Sequence, residues 1–353
     1  MVTVFPKKDR EFYQGCLLGG AIGDALGRPV DSLNYQMIKA EYGAQGVTDL
    51  SCAENGKALI TDDTQLALFT AEGLLRAETR KREKGTCYPS SVVYYAYLRW
   101  LHTQGYPQDQ NKIRIYDGYL INIQELHINR SAGSTSLAAL LSGKQGNIHE
   151  SINESKGCGG VKRVAPVGLY EARKNAFDLG CECAALTHGN PSGYLAAGVL
   201  AHIIACLIAG LELKEAILDA LDKLADYKRY EECNSSIRKA LKLAQGDQEP
   251  PEAIKLLGEG RTAEEALAIA IYSALKYPAD FKKALCTAVN HDGGSKTPAA
   301  ITGNILGAYL GIKAIPADWV EKVELKDVTL QIADDLFTGY KGDLDWWQRY
   351  PGY

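Results

Sequence analysis

The sequence predicts an all-α fold, a compact single-domain bundle of a dozen or more helices spanning residues 1–353. Three observations predict it. Apolar residues recur at helical spacing in almost every segment, strand-like alternation is nearly absent, and no Pro/Gly/Ser-rich linker divides the chain. No fixed-period repeat is visible, which argues against a solenoid.

Taken in order, the first helix is "REFYQGCLLGGAIGDALG", residues 10–27. Phe12, Cys16, Leu17, Gly20 and Ala21 share a face whose glycines suit close helix packing. "DDTQLALFTAEGLLRAETRKREK", residues 62–84, repeats the pattern with Leu66, Phe69, Ala71 and Leu74 on the core side. Its basic run from Arg80 to Lys84 reads as a solvated helix end. Further helices are expected near 90–104, 134–143, 178–187, 192–211, 213–226, 232–245, 262–277, 280–290 and 297–311. Thr262 and Glu265 form a capping-box pattern at the start of one of them. The most apolar stretch, 194–213, approaches membrane-spanning length but contains His202 and lacks interfacial anchors, so it reads as the central buried helix of a soluble protein.

With 46% hydrophobic and 23% charged residues, the chain can bury a large core. Its net charge of −4 argues against a nucleic-acid-coating protein, although a local site could still hold a small anionic substrate. The nine cysteines are scattered without metal or redox spacing and read as free thiols of a reducing compartment. The opening residues hold no apolar run of signal-peptide length, so a cytoplasmic location is expected. No partner is expected in the membrane.

Four short stretches carry candidate chemistry. In "TDDT", Thr61, Asp62 and Asp63 stand at a helix start, a hard-oxygen set suited to Mg²⁺, Mn²⁺ or Ca²⁺, and alone also an ordinary acidic first turn. "GGAIGDALGRPVD" reads as a helix broken by Gly23 and Gly27 that ends at Pro29, bringing Asp24 inward and leaving Asp31 on the following loop, where a mobile carboxylate could meet a substrate. "SKGCGGVKRVAP" brings Gly157, Gly159 and Gly160 before a helix, as phosphate loops do. "NHDGGSKT" ends on Lys296 and Thr297 at the head of a small-residue helix. Asp334 and Asp335 form a second acidic pair, read as a solvated helix face, and His188 is read as structural support.

In this order the four stretches resemble the ADP-ribosylglycohydrolase family, of the dinitrogenase-reductase-activating and ADP-ribosyl-arginine hydrolase type, from about Gly15 to Gly311. The family's patterns are a "G-G-x-x-GDALG" segment, "TDDT", an "S-x-G-N-G-x-x-x-R-x-x-P" loop and an "N-H-x-G-D-S-D-S" loop. The closing "DWWQRYPGY" is similar to tails of the family. The resemblance implies hydrolysis of the glycosidic bond between ADP-ribose and an acceptor at a binuclear Mg²⁺ or Mn²⁺ centre. It implies that Thr61, Asp62, Asp63 and Thr297 ligate metal. Asp31 would act with Asp62 and Asp63 in catalysis by orienting water or contacting the ribose. Gly157, Gly159, Gly160 and Arg163 would line the pocket for diphosphate and ribose, together with Ser134, Thr135 and Lys296. Ser134 and Thr135 also have a capping role as a sufficient reason to exist. The implied partner is an ADP-ribosylated protein or a small ADP-ribose conjugate.

The last loop departs from the pattern: where the family carries two aspartates, this chain carries Gly294 and Lys296. Like charges ~4 Å apart repel by roughly 4 kcal/mol at an effective dielectric of 20, and a divalent ion doubles that. A second metal is therefore not expected. Lys296 could pair with Asp62 or Asp63 and leave a one-metal hydrolase. It could instead neutralise them and leave a catalytically impaired ADP-ribose binder or effector-neutralising pseudoenzyme, or point to solvent. The one-metal hydrolase is the expectation taken forward.

Overall fold

The computed structural model describes residues 9–352, so the leader reading on residues 1–8 lies outside the described residues. Among the described residues seventeen α-helices follow one another. They are α1 (Arg10–Gly27), α2 (Tyr35–Tyr42), α3 (Asp62–Lys84), α4 (Pro89–Thr103), α5 (Ser134–Leu141) and α6 (Ala165–Tyr170). Next come α7 (Arg173–Ala185), α8 (Pro191–Ile208), α9 (Leu213–Leu224), α10 (Glu231–Ala244), α11 (Pro250–Leu257) and α12 (Ala263–Lys276). The last are α13 (Phe281–Val289), α14 (Lys296–Leu310), α15 (Ala317–Lys322), α16 (Lys326–Thr338) and α17 (Leu344–Arg349). Among the described residues, β pairing is limited to two isolated bridges, Ala58 with Val323 and Gly157 with Thr262.

The pair that positions the site is α1 against α14, and glycine explains it. On α1 the glycines at 15, 19, 23 and 27 recur every four residues, which places them on one helix face. A Cβ on Gly303 of α14 would lie 2.0 Å from the Gly19 carbonyl oxygen, and one on Gly307 would lie 1.9 Å from that of Gly15. Further along, a Cβ on Gly23 would meet the Ala299 oxygen at 2.1 Å, and one on Gly27 the Lys296 Cα at 2.4 Å. Backbone therefore touches backbone along the whole antiparallel seam.

The apolar helix α8 is long and apolar enough to cross a membrane, with mean hydropathy 1.7, yet 89% of it is buried inside the protein. It packs among α6, α7, α9, α12 and α14. It stops at Ile208, short of the expected 211, because Gly210 adopts φ +97° and closes the turn, its N–H donating to Leu207 O. The capping box at Thr262 does not form: Thr262 is the N-cap residue, but its side chain makes no cap hydrogen bond. The reading of Asp334 and Asp335 as a solvated face is also corrected. Asp335 is 1% exposed and accepts from the Tyr350 hydroxyl at 2.7 Å and Gln331 Nε2 at 3.0 Å, with Arg349 paired to it. That cluster anchors the C-terminal tail, whose Trp346 Nε1 donates to Thr79 Oγ1 of α3 at 2.8 Å.

Candidate functional site

The acidic start of α3 is held by α1. Thr61 is the N-cap residue and accepts from the Asp63 N–H. The buried Asp24 carboxylate accepts from Thr61 N and Thr61 Oγ1, both at 2.7 Å, and from Thr64 Oγ1 at 2.6 Å. Asp24 is thus a cap supplied from another helix. Burial and the neighbouring Asp63 raise its carboxyl to about 6, against the opposing pull of Lys296 and these hydrogen bonds.

Asp62 and Asp63, 0% and 1% exposed, face two ammonium groups. Lys296 Nζ lies 3.1 Å from Asp62 Oδ1, 3.4 Å from Asp63 Oδ1 and 3.4 Å from Thr61 Oγ1. Lys162 Nζ lies 2.5 Å from Asp62 Oδ2 and 2.8 Å from Asp63 Oδ1. Thr297 Oγ1 donates to Asp63 Oδ2 at 2.6 Å, and the Gly133 N–H donates to Asp62 Oδ2 at 3.1 Å. Every carboxylate oxygen of the pair therefore accepts from a group of the chain itself. Burial alone would raise Asp63, but the Lys162 and Lys296 ammoniums carry it well below the ordinary carboxylate range. Burial alone would lower the two lysines, and the aspartates hold both above the ordinary lysine range.

Lys162, paired with both aspartates, is the member of this cluster that the sequence did not single out. It lies in a short 3₁₀ turn, Val161–Arg163, that opens onto α6. Within the family pattern it occupies an unconstrained position between the glycines and the arginine. In sequence it is one of two adjacent basic residues between Val161 and Val164; in the fold every residue from Gly160 to Leu169 is buried.

Asp31 does not hang free. Its Oδ1 accepts from Ser295 N at 3.0 Å and Lys296 N at 3.4 Å, capping the start of α14. Burial raises its carboxyl above the ordinary range, with Lys296 pulling the other way.

The glycine loop divides in two. Gly157 and Gly159 are half-buried, and Gly159 lies against His188, whose Cε1 would be 2.7 Å from a Cβ there. Gly160 packs into the core on Ala184. Arg163, expected at the diphosphate, is instead fully buried, donating to Cys183 O at 3.1 Å and Thr187 Oγ1 at 2.7 Å and stacking 4.1 Å over the Tyr97 ring. Both bonds come from Nη2, so the guanidinium ties the Val161–Arg163 turn to α7 and α4 while its Nε and Nη1 are buried without a partner. His188 is buried and bonded to Thr187 Oγ1 at 2.8 Å, and burial, reinforced by Arg163 and Lys162, holds it well below the ordinary histidine range, hence neutral.

Gly133, not Ser134, is the N-cap residue of α5, and neither Ser134 nor Thr135 caps it. Ser134 is exposed, while Thr135 Oγ1 lies 3.3 Å from Ser155 Oγ and joins α5 to the glycine loop. Cys158, at the asparagine position of the family loop, has its Sγ 3.6 Å from Thr297 Oγ1. The structure thus brings Thr61, Asp62, Asp63, Asp31, Lys296, Thr297, Gly157, Gly159 and Thr135 into one neighbourhood. It leaves Gly160 and Arg163 in the core.

Does this donor set fit a divalent ion? Thr61, Asp62, Asp63 and Thr297 are hard-oxygen ligands. An ion bound to these carboxylates would sit beside both ammoniums, each repelling it by roughly 8 kcal/mol at ~4 Å and an effective dielectric of 20. As folded, the residues do not fit the group. A separate His/Cys/Asp group exists at His202, Cys206 and Asp219, with His202 Nε2 2.6 Å from Asp219 Oδ1. Its nitrogen and sulfur donors suit zinc better than magnesium, and Arg173 already pairs with Asp219.

Comparison with known proteins places these features. A family profile described as ADP-ribosylglycohydrolase matches residues 6–344. ADP-ribosylhydrolase ARH3 of Bos taurus is 24% identical, the match covering 94% of this chain and 94% of that protein. ADP-ribosylarginine hydrolase Tri1 of Pseudomonas putida is 23% identical, over 95% of this chain and 80% of that protein. A solved structure described as an ADP-ribosylglycohydrolase-related protein complex superposes with a TM-score of 0.62 at 23% identity, covering 94% of this chain and 98% of that one. That likeness extends the all-α fold to a known architecture.

Proposed function

Because the chain belongs to the ADP-ribosylglycohydrolase family, we propose that it removes ADP-ribose from a modified acceptor by hydrolysing the glycosidic bond at the Asp31 and Thr61–Asp63 neighbourhood. The observation that carries this reading is convergence. The starts of α3 and α14, the Asp31 loop and the Ser155–Gly159 loop meet through the Gly133–Asp62, Thr135–Ser155, Cys158–Thr297 and Asp31–Ser295 contacts. Half-buried backbone at Gly157 and Gly159 suits a diphosphate, and the hydroxyl of Thr135 suits a ribose.

Asp31 is the group suited to proton transfer. It is half-buried, and its pKa lies above the ordinary range. Water adds to the anomeric carbon of the distal ribose as the bond to the acceptor breaks. The water proton passes to Asp31. The acceptor atom keeps the bonding pair and takes a proton back from the Asp31 carboxyl. Asp62 and Asp63, neutralised by their lysines, form the floor of the site. The substrate is an ADP-ribosylated protein or a small ADP-ribose conjugate.

The test is release of ADP-ribose from ADP-ribosyl-arginine and ADP-ribosyl-serine peptides, followed by chromatography. Asp31→Asn retains an oxygen for the Ser295 and Lys296 N–H groups, so folding is expected to survive while turnover falls about 10²–10⁴-fold. Turnover within a few-fold of the native protein would remove Asp31 from the reaction. ADP-ribose binding without release from any conjugate would make the protein a binder.

A further inference from the structure

We infer that the Lys162 and Lys296 ammonium groups stand as built-in cations where divalent ions would otherwise neutralise Asp62 and Asp63, so that this site binds its ligand without a divalent cation. The inference rests on the reading of this neighbourhood as the ADP-ribose site.

Three observations carry it. The two lysines come from different elements, the Val161–Arg163 turn and the first residue of α14, and both bridge the same two carboxylates. Two ammonium groups meet the two carboxylates of Asp62 and Asp63, with Lys162 5% and Lys296 12% exposed, and Lys296 also feels Asp24 and Asp31. No oxygen of Asp62 or Asp63 is left over, since Thr297 and the Gly133 N–H take what the lysines do not. A charged group buried this deeply is retained only when paired, and here the pairing is complete on both sides. A tethered ammonium is also never diluted. A free ion would have to displace two groups whose local concentration is fixed by covalent attachment.

The experiment uses the native protein stripped with EDTA. Mn²⁺ binding is followed by electron paramagnetic resonance, and ADP-ribose binding by calorimetry in EDTA and in Mg²⁺. The expected result is no stoichiometric Mn²⁺ site at about millimolar metal, and ADP-ribose affinities in the two buffers within about threefold. A stoichiometric Mn²⁺ site, or a tenfold or greater loss of ADP-ribose affinity in EDTA, overturns the inference. The double variant Lys162→Met with Lys296→Asp frees the carboxylates and is expected to gain Mn²⁺ binding; a folded variant that gains none overturns the placement of the lysines. If that variant fails to fold, the native Mn²⁺ titration still decides. Failure to bind ADP-ribose in either buffer would sink the proposed function, while the Mn²⁺ result would still judge the lysines separately.

Discussion

Replacing Lys162 by Met tests the ion-pair cluster through stability alone. Methionine keeps the length and apolar stem of the side chain, so the packing term changes little and the charge is removed. Asp62 and Asp63 then share Lys296 as their only cation within bonding distance among the described residues. Breaking a buried pair by removing one partner costs about 3–5 kcal/mol, because it leaves an uncompensated buried charge. At roughly 2.1 cal/mol/K per residue, a 353-residue chain unfolds with an entropy of about 0.7 kcal/mol/K, so Tm should fall by about 4–7 °C. Scanning calorimetry in EDTA reads the fall. The second arm adds Asp62→Asn, which removes the orphaned charge and should recover half or more of the loss. A fall below about 1 °C, or an Asp62→Asn change that simply adds to the damage, would show that the two lysines do not neutralise the pair.

The same cluster fixes a pH window. Asp63 is held below its ordinary pKa, so its contribution is full above about pH 4 and is lost as pH falls toward the folded value; the lysines are held above theirs, so their contribution is full below about pH 10.5 and is lost above it. The Tm difference between native and Lys162→Met protein should therefore be flat from about pH 5 to 10 and narrow outside it; a difference that peaks inside the window would contradict the assignment. Gly303→Ala should lower Tm by about 1–4 °C, because a Cβ 2.0 Å from the Gly19 oxygen overpacks the seam at ~1–3 kcal/mol, whereas an exposed helix position would gain ~1 kcal/mol from the same change. A rise in Tm would mean that the helices do not touch there. In native alkylation followed by mass spectrometry, exposed Cys52 should be modified, while buried Cys16, Cys181, Cys183, Cys206 and Cys233 stay protected. Labelling of the buried set would contradict the packing of α1, α7, α8 and α10.

The extent of α3 was legible to the residue, and so was the start of α1. Asp9 and Thr61 cap these helices and several turns of periodicity follow each cap, whereas α1 runs unbroken through Gly23, where a break was expected, because that glycine packs on the Ala299 backbone. The short helices α2, α11, α15 and α17 were not singled out, since one or two turns display too little period. Lys296 stood out because it falls in a recognisable loop. Lys162 did not, since nothing local distinguishes a lysine that turns inward from one that turns outward. Arg163 and Asp335 failed for the converse reason. Charge suggested an exposed or ligand-facing role, and burial was decided by partners on other elements, Cys183, Thr187 and Tyr97 for Arg163 and the tail's Tyr350 for Asp335.

The glycine seam between α1 and α14 has a further consequence. The Cα of residue 296 is located by carbonyls and glycines strung along two helices, and nothing in that registration depends on which side chain the position bears. The scaffold thus works like a fixed socket, into which a carboxylate or an ammonium can be plugged without moving its neighbours. Slipping the two helices by one turn would carry position 296 about 5.4 Å along the axis and disconnect it from α3 altogether. Chemistry at this socket is accordingly free to change sign while its coordinates stay put, and the fold alone is a poor guide to whether a member of the family needs an ion.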